Sequence, residues 1–131
     1  MTKHAREIMK AQAIVNEERG RIVLVTSTNG IDSYSIYSAH YDASKAAMNN
    51  MVRNLGEYFH TNDKIIINGL APGWVDTAFN DTIPTEARIE ETAKIWGGRF
   101  ATPNEMATNA AAILVLPGMS GRIYEIDGGY R

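Results

Sequence analysis

A chain of 131 residues with a formal net charge of −2 and scattered lysines and arginines offers no basic stripe for nucleic acid or an anionic membrane. Its 44% hydrophobic and 21% charged content is that of an ordinary folded domain, long enough for one core. With no cysteine it has no disulfide, thiolate metal ligand or cysteine nucleophile; that fits a reducing compartment, and Met1–Arg6 show no signal-peptide pattern, so the sequence reads as cytoplasmic. His4, His40 and His60 share no ligand spacing, and no metal site is expected.

Residues 2–18 set Ala5, Ile8, Met9, Ala11, Ala13, Ile14 and Val15 among Lys, Arg and Glu, which predicts an amphipathic helix ended by Gly20. The run 21–26, Arg-Ile-Val-Leu-Val-Thr, predicts a strand apolar on both faces, as in a buried parallel sheet. From Ser27-Thr28-Asn29-Gly30 to Ser38 the composition is polar and aperiodic, a loop at the carboxyl end of a strand, where open α/β sheets bind ligands. A second helix follows from Tyr41 to His60, apolar nearly all round its middle, which suggests burial against the sheet and against a partner subunit. After Thr61-Asn62-Asp63 a second strand is predicted over 64–71, broken at once by Pro72-Gly73. That dipeptide is either an ordinary turn or a place where backbone comes close to a flat ligand.

Residues 78–100, with Pro84, a charged helical patch at 85–94 and apolar Phe79, Ile89, Ile95, Trp96 and Phe100, read either as a mobile substrate-facing lid or as a packed surface helix. Thr102-Pro103-Asn104-Glu105 is a helix start with cap, N1 proline and capping-box glutamate, and the helix should run over 103–116, stopping before Pro117-Gly118. A third strand over 122–126 ends in Asp127-Gly128-Gly129.

Tyr41 and Lys45 stand four residues apart at the start of the second helix, and so on one face. A cation beside a phenol favours the phenolate, which makes the pair a candidate acid–base device. By itself the pattern is weak: a Tyr-x-x-x-Lys match arises by chance about 0.2 times in a chain of this composition, and a solvated helix face explains it equally well.

Several pieces in order are stronger than any one. Gly20-x-Ile22-Val23-x-Val25-x-Ser27, Tyr41-x-Ala43-Ser44-Lys45, Asn68-x-x-Ala71-Pro72-Gly73-x-x-x-Thr77, Gly98-Arg99-Phe100-x-x-Pro103-x-Glu105 and Asp127-Gly128-Gly129 together resemble the C-terminal half of the classical short-chain dehydrogenase/reductase family. The resemblance implies an α/β fold: the C-terminal part of a doubly wound, Rossmann-like parallel sheet with about three strands and four helices, its N-terminal half missing. Residues 1–131 would form the C-terminal portion of one NAD(P)-binding domain, with a substrate-loop excursion at 78–100. It implies an NAD- or NADP-dependent oxidoreductase acting on a carbonyl or secondary alcohol. Tyr41 would be the general acid, Lys45 its partner and a ligand of the nicotinamide ribose, and Ser27 a hydrogen-bond donor to the substrate oxygen. Pro72 and Gly73 would border the nicotinamide, with the Val75 backbone and Thr77 at its carboxamide. Full-length members form dimers or tetramers, so a homo-oligomer is expected, with a small-molecule substrate.

Two departures matter. Ser27 stands fourteen residues before Tyr41, one more than the family's commonest spacing, which Thr28 meets; the order of residues favours Ser27. The glycine-rich turn that would receive the pyrophosphate is absent, and the family's catalytic asparagine would fall upstream of Met1. Met1 therefore reads as an internal methionine of a longer protein. The isolated chain is expected to expose a strand edge along 21–26, to bind NAD(P) poorly and to be inactive. The ending resembles 3-oxoacyl-acyl-carrier-protein reductases, while His40-Tyr41-x-Ala43-Ser44-Lys45 also resembles sugar and polyol dehydrogenases. A truncated, non-catalytic interaction module is the remaining alternative.

Overall fold

The computed structural model describes residues 1–32 and 35–131; Ser33 and Tyr34, in the predicted strand-end loop, lie outside the described residues. Strand β2 (Ile65–Pro72) is the centre of a three-stranded sheet of order β1-β2-β3, parallel throughout. Gly20 of β1 (Gly20–Val25) faces Ile65, and Ile123 of β3 (Ile123–Ile126) faces Gly69. Its β-branched start, Ile65-Ile66-Ile67, suits a pleat covered on both faces, and every residue of β2 but Pro72 is buried. Helix α2 (Ala39–Asp63) sets Val52 and Phe59 against Ile65 and Ile67, with Leu55, Met9, Ile22, Leu24 and Ile123 around them. Helix α4 (Pro103–Val115) packs on β1 and β2. Asn68, polar in the middle of β2, is satisfied: its amide donates to Met119 O (3.0 Å) and accepts from Arg122 N (3.0 Å), which sets the entry to β3.

The helix starting at 103 has the capping box its sequence predicts, Thr102 Oγ1 accepting from Glu105 N while the Glu105 carboxylate accepts from Thr102 N. Helix α2 is longer than predicted at both ends and stops at Lys64, which takes a left-handed conformation (φ 60°) where a glycine is usual.

Two expectations need correction. Helix α1 (Thr2–Lys10) ends eight residues short of the predicted limit. Asn16 and Glu17 have positive φ in a tight turn that pairs Val15 with Glu18, and such residues cannot extend a helix. Arg19 Nη1 donates to the Lys10 and Gln12 carbonyls, and Arg19 N to Lys64 O, so the turn delivers the chain into register with β2. Strand β1, predicted apolar because buried on both faces, contains no buried residue, and Val25 is 54% exposed. Among the described residues it pairs with β2 alone and stands at the sheet edge, the exposed strand edge predicted along 21–26.

The segment 78–100 holds a 3₁₀ turn (Ala78–Asn80) and α3 (Thr85–Ala93), anchored by buried Asn80, Ile95 and Phe100. Among the described residues no helix is long and apolar enough to cross a membrane.

Candidate active site

The carboxyl ends of the three strands gather at one edge of the sheet. Beyond Val25, Thr26 extends the ladder, its N–H donating to Leu70 O at 2.7 Å, and Thr26, Ser27 and Thr28 are all buried. Ser27 caps the short 3₁₀ turn Thr28–Gly30: its Oγ accepts from Asn29 N at 3.2 Å, which leaves its own O–H for another acceptor. Thr28 Oγ1 donates to Pro72 O at 3.3 Å, so that hydroxyl spends its proton on tying the first strand end to the second. Of the two candidate hydroxyls, Ser27 is the one with a donor to spare. Gly30 then lies against the backbone of Lys45 and Ala46, where a Cβ would collide, and this contact seats the strand end on the first turns of α2.

On that helix Lys45 Nζ donates to Val25 O at 3.3 Å and lies 5.5 Å from the centre of the Tyr41 ring. The two share a face, as their spacing requires. No direct hydrogen bond joins Tyr41 to Lys45 or to Ser27 among the described residues. Tyr41 also stacks on Phe79, at 6.4 Å with the rings 29° apart, and Phe79 is itself 78% exposed.

Asp42 was not singled out from the sequence, yet it organises the loop in front of Tyr41. Its two oxygens accept from Ser35 N and from Asn29 Nδ2, both at 2.8 Å. The Ser35 backbone donor, then Asn29, hold its carboxyl below the usual carboxylate range despite some opposing desolvation. An acidic residue in the first turn of a helix, preceded by an Asn- and Ser-rich loop, was the available signal.

Beyond β2, Gly73 N donates to Ile126 O (3.1 Å), and a Cβ on Gly73 would lie 2.8 Å from Asp127 Cβ. Its lack of a side chain is thus required by the third strand end, a reason other than close approach of a ligand. Ala101 brackets the next residues, accepting from Asp76 N (2.8 Å) and donating to Trp74 O (3.0 Å), while buried Asn80 donates to Val75 O at 2.6 Å. Among the described residues the Val75 N–H and the Thr77 hydroxyl make no hydrogen bond within the chain. A backbone donor and a hydroxyl two residues apart suit a flat carboxamide, which presents one acceptor and two donors. No three of His, Asp and Glu gather as metal ligands among the described residues.

The family model described as enoyl-(acyl carrier protein) reductase matches residues 1–131. The chain is 34% identical over 98% of its length to cis-4-hydroxycyclohexanecarboxylate dehydrogenase of Sinomonas cyclohexanicum, covering 49% of that protein. It is 32% identical over 92% of its length to a 3-oxoacyl-[acyl-carrier-protein] reductase of Rickettsia bellii, covering 54% of it. Its fold superposes on 3-hydroxyacyl-CoA dehydrogenase type-2 from Mycobacterium avium with a TM-score of 0.91, at 27% identity over 99% of this chain and 50% of that one. BdcA, solved in complex with NADPH, gives 0.77 at 30% identity over 85% of this chain and 46% of the other. The chain thus spans about half the length of the curated relatives it matches. With a family match from end to end and a shared parallel sheet, the chain belongs to the short-chain dehydrogenase/reductase family of NAD(P)-dependent oxidoreductases.

Proposed function

We propose that these residues form the proton-transfer part of an NAD(P)(H)-dependent enzyme that interconverts a carbonyl and a secondary alcohol, of the 3-oxoacyl-[acyl-carrier-protein] reductase type. The observation that carries the reading is the placement of Lys45: its ammonium is pinned to the Val25 carbonyl, 5.5 Å from the Tyr41 ring, at the strand end where Ser27 is buried.

In reduction the Tyr41 hydroxyl gives its proton to the substrate oxygen, and in oxidation it takes that proton back. The Lys45 ammonium stands on the same helix face as that phenol and would hold the nicotinamide ribose. The spare O–H of Ser27 donates to the same substrate oxygen, orienting it and stabilising the charge that develops there. Val75 N–H and Thr77 would hold the nicotinamide carboxamide, and Pro72 and Gly73 would border the ring. When bound, the nicotinamide supplies or accepts the hydride.

These 131 residues contain no glycine-rich turn for the pyrophosphate, so the chain by itself should hold NAD(P) weakly and turn over nothing. Exposed Met51 (45%) and Tyr58 (51%) on α2 are the surface through which a second copy would pack. The alternative substrate class, a sugar, polyol or other ring alcohol, uses the same residues; a relative named for a hydroxycyclohexane carboxylate supports keeping it.

The test is a fusion of residues 1–131 to the nucleotide-binding half of the Rickettsia reductase, assayed with acetoacetyl thioesters and with a panel of sugars and polyols. Thioester reduction supports the proposal; oxidation of the polyols alone replaces the substrate class. Silence on both, with nucleotide bound, overturns the catalytic reading in favour of a non-catalytic module.

A further inference from the structure

Helix α3 reaches the loop that follows β2 with two side chains one turn apart. Arg88 Nη2 donates to Asp76 Oδ1 at 2.6 Å, its guanidinium lying 4.4 Å from the centre of the Phe100 ring. Glu91 Oε2 accepts from the Trp74 indole N–H at 3.0 Å and from the Tyr130 hydroxyl at 2.5 Å, and Oε1 accepts from Lys94 Nζ at 2.5 Å. The Trp74 ring lies flat on Phe100, centres 5.2 Å apart and planes within 12°. One carboxylate therefore fastens three separate pieces of chain: the loop after β2, the helix of the substrate excursion, and the C-terminal tail. An indole can only donate, so a carboxylate oxygen is the kind of group that can take it together with a phenol. Burial alone pushes the Glu91 carboxyl up, but the donors Lys94, Tyr130 and Trp74 outweigh it and hold it below the usual range.

We propose that Glu91 is a positioning residue: by holding Trp74 it fixes the backbone of residues 74–77 against α3 and the C-terminal tail. The Val75 N–H and Thr77 hydroxyl then keep one orientation. A consequence is that α3 does not swing as part of a lid. Exposed Phe79, stacked on Tyr41, lies outside this grip, while its neighbour Asn80 is buried and tied to Val75 O. The proposal deepens the functional reading above and rests on it for the role of the 72–77 loop.

The chain has two tryptophans, and the other, Trp96, is 70% exposed. In the wild-type chain the Trp74 indole N–H should exchange with solvent at least about ten-fold more slowly than that of Trp96, as expected of a proton released only by local opening. In a Trp96→Phe background, Glu91→Leu should speed that exchange by about ten-fold and raise acrylamide quenching of Trp74, with helix content by circular dichroism unchanged. Glu91→Gln, which keeps an acceptor, should restore most of the protection. Equal exchange of the two indoles in the wild type overturns the proposal whether or not the variants fold; so does a folded Glu91→Leu chain in which Trp74 stays protected. Failure of the fused enzyme to bind nucleotide would contradict the functional reading while the Trp74 measurements still decide the role of Glu91.

Discussion

The two sides of the sheet differ in how completely they are built. Around β2 and β3 both side-chain polar atoms of Asn68 are paired, the isoleucines at 65–67 are buried, and residues 74–76 are gripped by Ala101, Asn80 and α3; the buried Tyr124 hydroxyl on β3 is the exception, with no partner among the described residues. Around β1 the strand has one partner, no buried residue and a half-exposed valine at its end. The proposed proton-transfer groups lie where the two regions meet, with Lys45 pinned to the last carbonyl of the open strand. The proposed groups thus draw on both regions: Ser27 follows the open strand, while Val75 and Thr77 follow the closed one.

Mutations should separate the two sides by size of effect. The largest loss is expected for Ile67→Ala in the closed core, about 2–5 kcal/mol of unfolding free energy from lost burial and the cavity left behind, read from urea midpoints. Arg6→Ala comes next. It leaves the buried carboxylate of Asp63 without the guanidinium that now donates to it at 2.6 Å, at a cost of about 1–3 kcal/mol. Thr102→Ala, removing the α4 cap, should cost about 1 kcal/mol.

The same cap gives a pH dependence. Arg99, followed by the Thr102 donors, depresses the Glu105 carboxyl to about 2. An unfolded glutamate titrates near about 4.3, so the folded state binds its proton less readily. The stabilisation is therefore fully present above that value and lost as pH falls from about 4 toward 2. Arg99→Met should flatten this acid limb of the urea midpoint; an unchanged limb would contradict the assignment. The smallest effect is expected on the open side: Val25→Thr should shift stability by no more than about 0.5 kcal/mol. A loss as large as that of Ile67→Ala would mean that β1 is covered in solution.

Sequence reading recovered the parts dictated by local chemistry. The capping box at 102–105, the β-branched second strand and the Tyr41–Lys45 spacing each follow from residues close in the chain, and the structure places them as expected. What it missed depends on contacts between distant residues. The end of α1 is fixed by Arg19 and the Val15–Glu18 turn, which align the chain with Lys64; the apolar run 2–15 carries no trace of that constraint. That Asp127, fifty-four residues on, also requires a glycine at 73 has no local signature. Glu91, one acidic residue in a charged patch, acquires its role only when residues 74 and 130 converge on it. Spacing points to Thr28 and residue order to Ser27; that the Thr28 hydroxyl is already committed to Pro72 O is visible only in the fold.

The proposed proton carrier is Tyr41. In the fused enzyme, Tyr41→Phe keeps the ring and its contact with Phe79 while removing only the hydroxyl, so nucleotide affinity should change little and thioester reduction should fall by about 10²–10⁴. A Tyr41→Phe enzyme that binds nucleotide and reduces substrate at the wild-type rate would contradict the account.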